Sequence, residues 1–293
     1  MALNVPSMQD LLTAGVHFGH QVRRGHPRMS QFVYGARDGV QIIDLAKTES
    51  KLKEAAEFVY NLGKSGGVLL VVGTKKQSRE IVEQLSKEAD TPFMNDHWVG
   101  GLLTNFDEIK KNLKRLNDLK EEQATGSLSR YTKREQLLIA RKLQKYERDF
   151  GGVANLVKLP DALFVIDTVS DNIAVKEASV LGIKVVGFAD SNSNPDLLDY
   201  PIPANDDGIK SIKIISETII KSYGEGKKVG GVTVAKVEEA KSENEATKKE
   251  KSPSTQNAQD KEEAKLDEAV AEEAAAIEEV VEKKAVEESE RKV

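Results

Sequence analysis

The sequence predicts an α/β fold, a parallel sheet wrapped by helices, into which one helical hairpin is inserted. Continuous apolar runs at 68–72 and 162–166 are typical of strands that are covered on both faces. Helical patterns alternate with these runs, as they do in proteins with parallel sheets. Between 107 and 150 the chain departs from this alternation and consists mostly of long side chains. We therefore expect one α/β domain over residues 1–229, interrupted by the segment 107–150.

The N-terminal segment predicts a short capped helix followed by a basic loop. Ser7 is placed to cap a helix that ends at Gly15. The run 17–28 has no hydrophobic periodicity and no acidic residue. This favours a loop whose rings stack on bases and whose arginines contact phosphates. His17 and His20 also have the spacing of half a metal site, but no cysteine and no third ligand nearby support that alternative.

A β-hairpin and then an alternation of helices and strands are predicted next. Asp38 and Gly39 separate two β-rich segments, 32–36 and 40–45, and favour a hairpin turn between them. Helix caps, breakers and apolar runs give the following elements. These are a helix at 48–62 capped by Thr48 and closed by Gly63, a strand at 68–72, a helix at 78–89 and a strand at 92–95.

The inserted segment predicts two antiparallel helices. Apolar residues recur three and four apart in each half, at Ile109, Leu113 and Leu116 and again at Ile139, Leu143 and Tyr146. Thr125, Gly126 and Ser127 break the helical pattern between the halves. The apolar seam is narrow, which favours a coiled-coil hairpin that projects from the domain. From 110 to 148 twelve Lys or Arg stand against five acidic residues, an excess that favours a polyanion partner over an ordinary solvated face.

The second half of the domain repeats the alternation and is followed by an acidic tail. Strands at 162–166 and 183–188, a helix at 171–181 and a helix at 206–223 introduced by Asn205 are expected. Residues 230–293 contain eleven basic and eighteen acidic residues. Subtracting them from the totals of 43 and 48 leaves 32 and 30 for the domain. The low-complexity tail lacks aromatic residues, so we expect it to be disordered or transiently helical.

Composition excludes several classes of protein. The chain has no cysteine, which excludes disulfide frameworks, thiol catalysis and sulfur-ligated metals. No apolar run approaches the roughly 20 residues of a membrane span. The first ten residues lack the basic start and apolar core of a secretory signal. We expect a cytoplasmic protein with no membrane partner and no cofactor.

Two groups of residues leave an enzyme open as the alternative function. Gly73–Ser78 follows a predicted strand and resembles a phosphate loop, although the fixed spacing of nucleotide-binding loops is absent. Asp167 and Asp190 end predicted strands, where paired carboxylates could hold magnesium or act as acid and base. Their other interpretation is that they cap turns and helices. A phosphate- or nucleotide-dependent enzyme is therefore one alternative, and an adaptor whose hairpin binds acidic protein is another.

Seven short strings, taken in order, carry a specific family resemblance. They are AGVHFGH at 14–20, FVYGAR at 32–37, IIDL with KT at 42–48, VGTK at 72–75, WVGGLLTN at 98–105, LPDA at 159–162 and IPANDD at 202–207. The ordered set resembles the bacterial ribosomal protein S-two family of the small ribosomal subunit. It covers nearly all of residues 8–229.

The resemblance implies a flavodoxin-like domain with a protruding coiled-coil hairpin, bound to small-subunit ribosomal RNA between the head and body of the subunit. It also implies docking of the mRNA-binding ribosomal protein S-one, where that partner exists. We therefore expect a structural constituent without a reaction of its own, whose basic side chains contact RNA phosphates without reading sequence. The residues expected to make these contacts are Arg23, Arg24, Arg28, Arg37, Lys75, Lys76, Lys110, Lys111, Lys114, Arg115, Lys133, Arg134, Arg141 and Lys142.

Overall fold

Two sheets organise the described part of the chain, one parallel with five strands and one antiparallel with three. The computed structural model describes residues 5–249, and side-chain surroundings for residues 5–230. The helices are Met8–Thr13 (α1), Leu45–Lys64 (α2), Arg79–Glu88 (α3), Phe106–Ala124 (α4), Lys133–Phe150 (α5), Asn172–Leu181 (α6) and Ile209–Lys249 (α7). The strands are Phe18–Gln21 (β1), Val33–Arg37 (β2), Val40–Ile43 (β3), Leu69–Val72 (β4), Phe93–Met94 (β5), Ala162–Val165 (β6), Lys184–Ala189 (β7) and Tyr200–Pro203 (β8).

The large sheet has the strand order β5-β4-β6-β7-β8, and every neighbouring pair is parallel. Counted along the chain this is the order 2-1-3-4-5, which is the flavodoxin-like arrangement. The predicted α/β fold is therefore confirmed. The chain runs from β4 outward to β5 and then returns to the other side of β4 as β6. In such sheets polar sites form where this reversal occurs, at the carboxyl ends of the strands.

Both faces of the sheet are buried, which explains the continuous apolar runs of its strands. Leu70 and Leu163 pack on one face in a cluster that also contains residues of α4, α5 and α6. Leu69 and Phe164 pack on the other face in a cluster with α2, α3 and α7. Successive side chains of a strand point to opposite faces, so each strand contributes to both clusters.

The helices α4 and α5 occupy the segment where the sequence predicts two helices. Their inner side chains are buried in the same cluster as one face of the sheet, including Ile109, Leu113 and Leu143. Near its attachment to the domain, the helical pair is therefore part of the core. Farther out, Leu137 and Leu138 are more than half exposed. A coiled-coil geometry for this pair of helices stays a prediction.

The small sheet contains the predicted β2–β3 hairpin together with a strand that the sequence did not indicate. Asp38 and Gly39 have φ values of 52° and 78°, so both adopt the left-handed conformation that a tight hairpin turn requires. Phe18–Gln21, predicted as loop, pairs antiparallel with β3. Four residues without apolar alternation carry too weak a signal for a strand.

The start and end of α2 differ from the prediction. Asp44, not Thr48, is the N-cap, and its side chain accepts a hydrogen bond from the amide of Ala46. Thr48 lies inside the helix, where its hydroxyl donates to the carbonyl oxygen of Pro203 at 2.6 Å. Gly63 does not close the helix but is buried within it. Its missing side chain makes room for the backbone of α7.

The last helix runs through Lys249 and so passes residue 229, where the sequence predicts the domain to end. Of the described residues, those up to Ala235 form one compact unit. The expected disorder of the tail beyond residue 249 lies outside the described residues. Within the described chain, no helix is both long enough and apolar enough to cross a membrane.

Candidate functional site

Four of the predicted arginines, those within the first 37 residues, lie on or beside the small sheet. Arg23 and Arg24 are exposed in a single 3₁₀ turn that follows β1. Arg28 forms an ion pair with Asp196, so part of its charge is balanced within the chain. Arg37 lies at the end of β2, 87% exposed, with its Nε 3.7 Å from a carboxylate oxygen of Asp38. At such exposure an ion pair is weak, and Arg37 can exchange it for another anion.

All eight predicted basic residues of the helical pair are exposed. Lys110 lies over the ring of Phe106 at 4.8 Å, and Lys142 lies over Tyr146 at 5.7 Å. Lys111 pairs with Glu108 at 2.7 Å. These contacts are with surface groups and leave the ammonium groups in water. The set is therefore available to an external anion.

The positive excess of this segment is unevenly distributed along the chain. Residues 110–115 and 141–148 together contain eight basic side chains and one acidic side chain. Residues 116–140 contain four of each sign. The basic stretches are thus the part of α4 near its start and the part of α5 near its end. Lys145, which was not among the predicted contacts, belongs to the same stretch and is exposed.

Lys75 does not lie on the surface with the others. Its Nζ is 2.8 Å from Asp206, 2.5 Å from Asp207 and 3.4 Å from Asp167. Burial alone would lower the pKa of Lys75, but hydrogen bonds to Asp206 and Asp207 raise it above its ordinary value. The ammonium is used within the fold, so its predicted contact with phosphate has no support in this geometry. Lys76, the next residue, is exposed.

The side-chain hydroxyls of the predicted phosphate loop at Gly73–Ser78 form hydrogen bonds within the chain. The hydroxyl of Ser78 donates to the carbonyl oxygens of Gly73 and Lys75, at 3.0 and 2.8 Å. The hydroxyl of Thr74 donates to Asp171 at 2.9 Å. A side chain at Gly73 would press on Val82, so the glycine permits close packing. The hydroxyls of Thr74 and Ser78 and the ammonium of Lys75 therefore all have partners within the fold.

Asp167 acts as a turn cap, which was the other interpretation of this residue. It accepts hydrogen bonds from the amides of Val169 and Ser170, both at 2.9 Å, and from the Ser170 hydroxyl at 2.8 Å. Burial would raise the pKa of Asp167, but these bonds and Lys75 leave it below its ordinary value. The carboxylate is ionised and fully engaged, so it is not placed to exchange protons with a substrate.

Asp190 joins a small cluster with His20 and Asp206 at the carboxyl edge of the sheet. The Nδ1 atom of His20 is 3.1 Å from Asp190, whose hydrogen bond raises the pKa of the imidazole although burial lowers it. Burial and then the charges of Asp190 and Asp167 raise the pKa of Asp206 to about 7. One ligand atom from each of His20, Asp190 and Asp206 lies within 4.8 Å of the others. Such nitrogen and oxygen ligands could hold a divalent cation.

His17, the other half of the predicted metal pair, is not part of this group. His20 stays in the cluster, and the place of His17 is taken by two aspartates that follow β7 and β8. The signal that could have identified them is topological. Parallel strands end at one edge of the sheet, so acidic residues after neighbouring strands come together there.

Glu177, which the sequence analysis did not single out, holds the segment that leads into α4. Its side chain is buried on α6 and accepts five hydrogen bonds from Trp98, Gly101, Leu103 and Thr104. Burial would raise the pKa of Glu177, but these bonds lower it below its ordinary value. This contact fixes one of the two attachments of the helical pair.

Comparison with known proteins decides the family. The sequence model of the family described as "Ribosomal protein S2" matches residues 11–226. The chain belongs to this family. The match includes all seven strings from which the resemblance was inferred, so that prediction is confirmed. A ribosomal protein family is a structural kind of protein, and the alternative of an enzyme has no support.

Three relatives, each named small ribosomal subunit protein uS2, show the extent of the similarity. The Nitratiruptor protein is 44% identical over 223 residues, which are 76% of this chain and 84% of the relative. The Helicobacter hepaticus protein is 43% identical over 225 residues, 75% and 85% of the two chains. The Fusobacterium nucleatum protein is 41% identical over 227 residues, 77% and 92%. This ribosomal protein S2 family member is thus similar to these relatives over most of their length.

Proposed function

We propose that this chain is a structural constituent of the small ribosomal subunit that binds small-subunit ribosomal RNA and catalyses no reaction. Family membership over residues 11–226 supports the ribosomal role. The observation that carries the RNA contact is the pair of exposed basic stretches, 110–115 and 141–148, with eight basic residues and one acidic residue. Side chains of this kind neutralise successive phosphates and release their counterions.

A second contact is formed by the exposed arginines of the small sheet, Arg23, Arg24 and Arg37. A guanidinium group binds phosphate with two parallel hydrogen bonds, which suits it to backbone recognition. Arg28 can join this contact if it exchanges Asp196 for RNA. Lys75 is left out, because its charge is held by three carboxylates. Contacts of this type position a protein on RNA without reading sequence.

The partners proposed with the RNA are neighbouring small-subunit proteins, among them the mRNA-binding protein S-one where it exists. The relatives carry names of the small ribosomal subunit, and the family resemblance implies the docking role. Location on cytoplasmic ribosomes follows from the same proposal.

The test replaces basic residues in matched sets of four. The first variant changes Lys110, Lys111, Lys114 and Arg115 to Gln, and the control changes Lys53, Lys64, Lys210 and Lys213 to Gln. All eight are exposed, and the control residues lie on α2 and α7, which cover the opposite face of the sheet. Both variants change the net charge equally, so general attraction to a polyanion falls equally. Binding to transcribed small-subunit RNA is measured at several salt concentrations.

We expect the first variant to bind more weakly and the control to bind nearly as wild type. Log affinity decreases linearly with log salt concentration. For each phosphate that the variant no longer neutralises, the magnitude of this negative slope should decrease by about 0.7–0.9. Equal weakening in the two variants would mean that the RNA does not bind at α4. Removal of residues 107–150 is a less suitable test, because Ile109, Leu113 and Leu143 belong to the core of the domain.

A further inference from the structure

One carboxylate holds the start of the helical pair against the sheet. Glu177 lies on α6, between β6 and β7, and only 8% of the residue is exposed. Its Oε1 accepts hydrogen bonds from the Trp98 ring nitrogen at 3.1 Å and from the Gly101 amide at 2.8 Å. Its Oε2 accepts from the amides of Leu103 and Thr104, at 3.1 and 3.2 Å, and from the Thr104 hydroxyl at 3.2 Å.

The donors come from seven consecutive residues that end two residues before α4. Gly101 has φ +84°, a left-handed conformation in which its amide can point at the carboxylate together with those that follow. Backbone amides arranged around one point make an anion-binding concavity. In this chain the anion is the side chain of Glu177. The segment is therefore wrapped around a single fixed group.

The other attachment of the helical pair has a separate set of contacts. Asp96 accepts from Arg79 of α3 at 2.7 Å and lies 3.6 Å from Arg148 near the end of α5. These groups are exposed or half-buried, and surface ion pairs of this kind contribute little. The α5 end is held in addition by Phe150 and Val153, which are buried in the core. At the α4 end, Glu177 is a buried polar contact with five donors on its two oxygens.

We infer that Glu177 is the positioning residue of the RNA-binding helices: it sets the direction in which α4 leaves the sheet without itself touching RNA. The inference rests on the proposed function for its effect on RNA binding, though not for its effect on geometry. An interface whose parts are held in their bound arrangement avoids the entropy cost of ordering them during association. Removal of the carboxylate should therefore weaken RNA binding while every basic side chain remains present.

The experiment measures geometry and binding on the full chain. Because the chain has no cysteine, Asp118→Cys on α4 and Lys213→Cys on α7 give two unique spin-label positions. Distance distributions between the labels are recorded by double electron–electron resonance. Glu177→Gln replaces an acceptor oxygen by an NH₂ group that faces amide donors. Thr104→Val removes one donor and is the milder variant if the first does not fold.

The control is Asp199→Asn, a carboxylate-to-amide change at the β7–β8 side of the sheet. Asp199 accepts from the Val185 amide at 2.9 Å and pairs with Lys184 at 2.7 Å, so it resembles Glu177 in bonding but not in place. We expect Glu177→Gln to shift or broaden the label distance and to weaken binding to transcribed small-subunit RNA about tenfold. Thr104→Val should do the same to a smaller extent, and Asp199→Asn should leave both measurements unchanged.

Unchanged label distances in Glu177→Gln and Thr104→Val would overturn the positioning role, whatever happens to RNA binding. Equal shifts in the Asp199→Asn control would overturn it as well, since the effect would then be general loosening. A shifted distance with wild-type RNA affinity would support the positioning role and count against the hairpin contact in the proposed function. The two proposals therefore fail in different measurements.

Discussion

At the scale of single residues, the ammonium group of Lys75 forms ion pairs within the fold that the sequence does not reveal. Its three carboxylate partners follow β6 and β8, up to 132 positions away along the chain. The run around it, Gly73–Ser78, suggested a phosphate contact because only neighbours in sequence were visible. No local pattern identifies an acid cluster that forms when separate strands end at one edge.

Lys75→Met should therefore lower stability and leave RNA binding unaffected. The variant leaves Asp167 and Asp206 buried without their cation, which costs about 3 kcal/mol. Urea unfolding measures this decrease, and Lys76→Met serves as the exposed control, with an expected change of about 0.5 kcal/mol or less. Weaker RNA binding at unchanged stability would instead return Lys75 to the phosphate-contacting set.

Glu177 gives a prediction for the pH dependence of stability. Its folded pKa lies below the ordinary value of 4.5, so the folded state favours the ionised form. This contribution is fully present above pH 4.5 and disappears as the pH falls through the lower folded pKa. The difference in unfolding free energy between wild type and Glu177→Gln should consequently shrink in that acid range. A difference that stays constant down to the acid transition would contradict the prediction.

At the scale of elements, α2 and α7 approach each other through glycines. A side chain on Gly226 would collide with the carbonyl oxygen of Tyr60, and one on Gly63 would collide with that of Tyr223. The colliding atoms belong to helix backbones, which cannot rotate away as side chains do. The helix axes must separate if either glycine acquires a Cβ.

Gly226→Ala should accordingly destabilise the domain by about 1–3 kcal/mol, although alanine is the better helix former. The matched control is Gly151→Ala, because nothing lies within 4 Å of a Cβ at that position and its φ is −55°. Denaturant midpoints of the two variants make the comparison. If Gly226→Ala unfolded at the wild-type midpoint, the close approach of α2 and α7 would be disproved.

The helices, strands and turns that the sequence predicts correctly are those marked by a few neighbouring residues. The cap at Ser7, the Asp38–Gly39 turn and the buried strands were all visible in a few neighbouring residues. The strand β8 was missed because Pro201 and Pro203 argue against a strand. It is an edge strand, and an edge has one side on which a missing amide donor costs nothing.

At the scale of the whole molecule, the two faces of the large sheet carry different groups of helices. One face packs against α2, α3 and α7, and the other carries α4, α5 and α6 with the basic stretches. The sequence showed the charge excess but could not show that the base of the helical pair belongs to the core, since that depends on packing against β4 and β6. The apolar seam of the helical pair is narrow, but its buried residues belong to the same core cluster as one face of the sheet.

The full chain should sediment with small ribosomal subunits and be released as salt rises. Release follows from the phosphate contacts proposed, since added cations compete for the same anions. Gradient fractions from lysates at increasing salt, probed for the tagged chain, provide the measurement. The variant at Lys110, Lys111, Lys114 and Arg115 should leave the subunits at lower salt than its matched control. A chain found only in the soluble fractions at low salt would refute the ribosomal role.

The placement of α4 and α5 within the sheet connection also affects how the chain reaches its native state. Val72 of β4 pairs with Val165 of β6, 93 positions later. The central strands of the sheet therefore cannot pair until the whole insertion has been synthesised. Loop-closure entropy and contact order both slow such a pairing. An insertion that first collapses on itself shortens the span that remains to be closed. We therefore expect charge variants on its outer surface to refold at the native rate and variants of its apolar seam to refold more slowly.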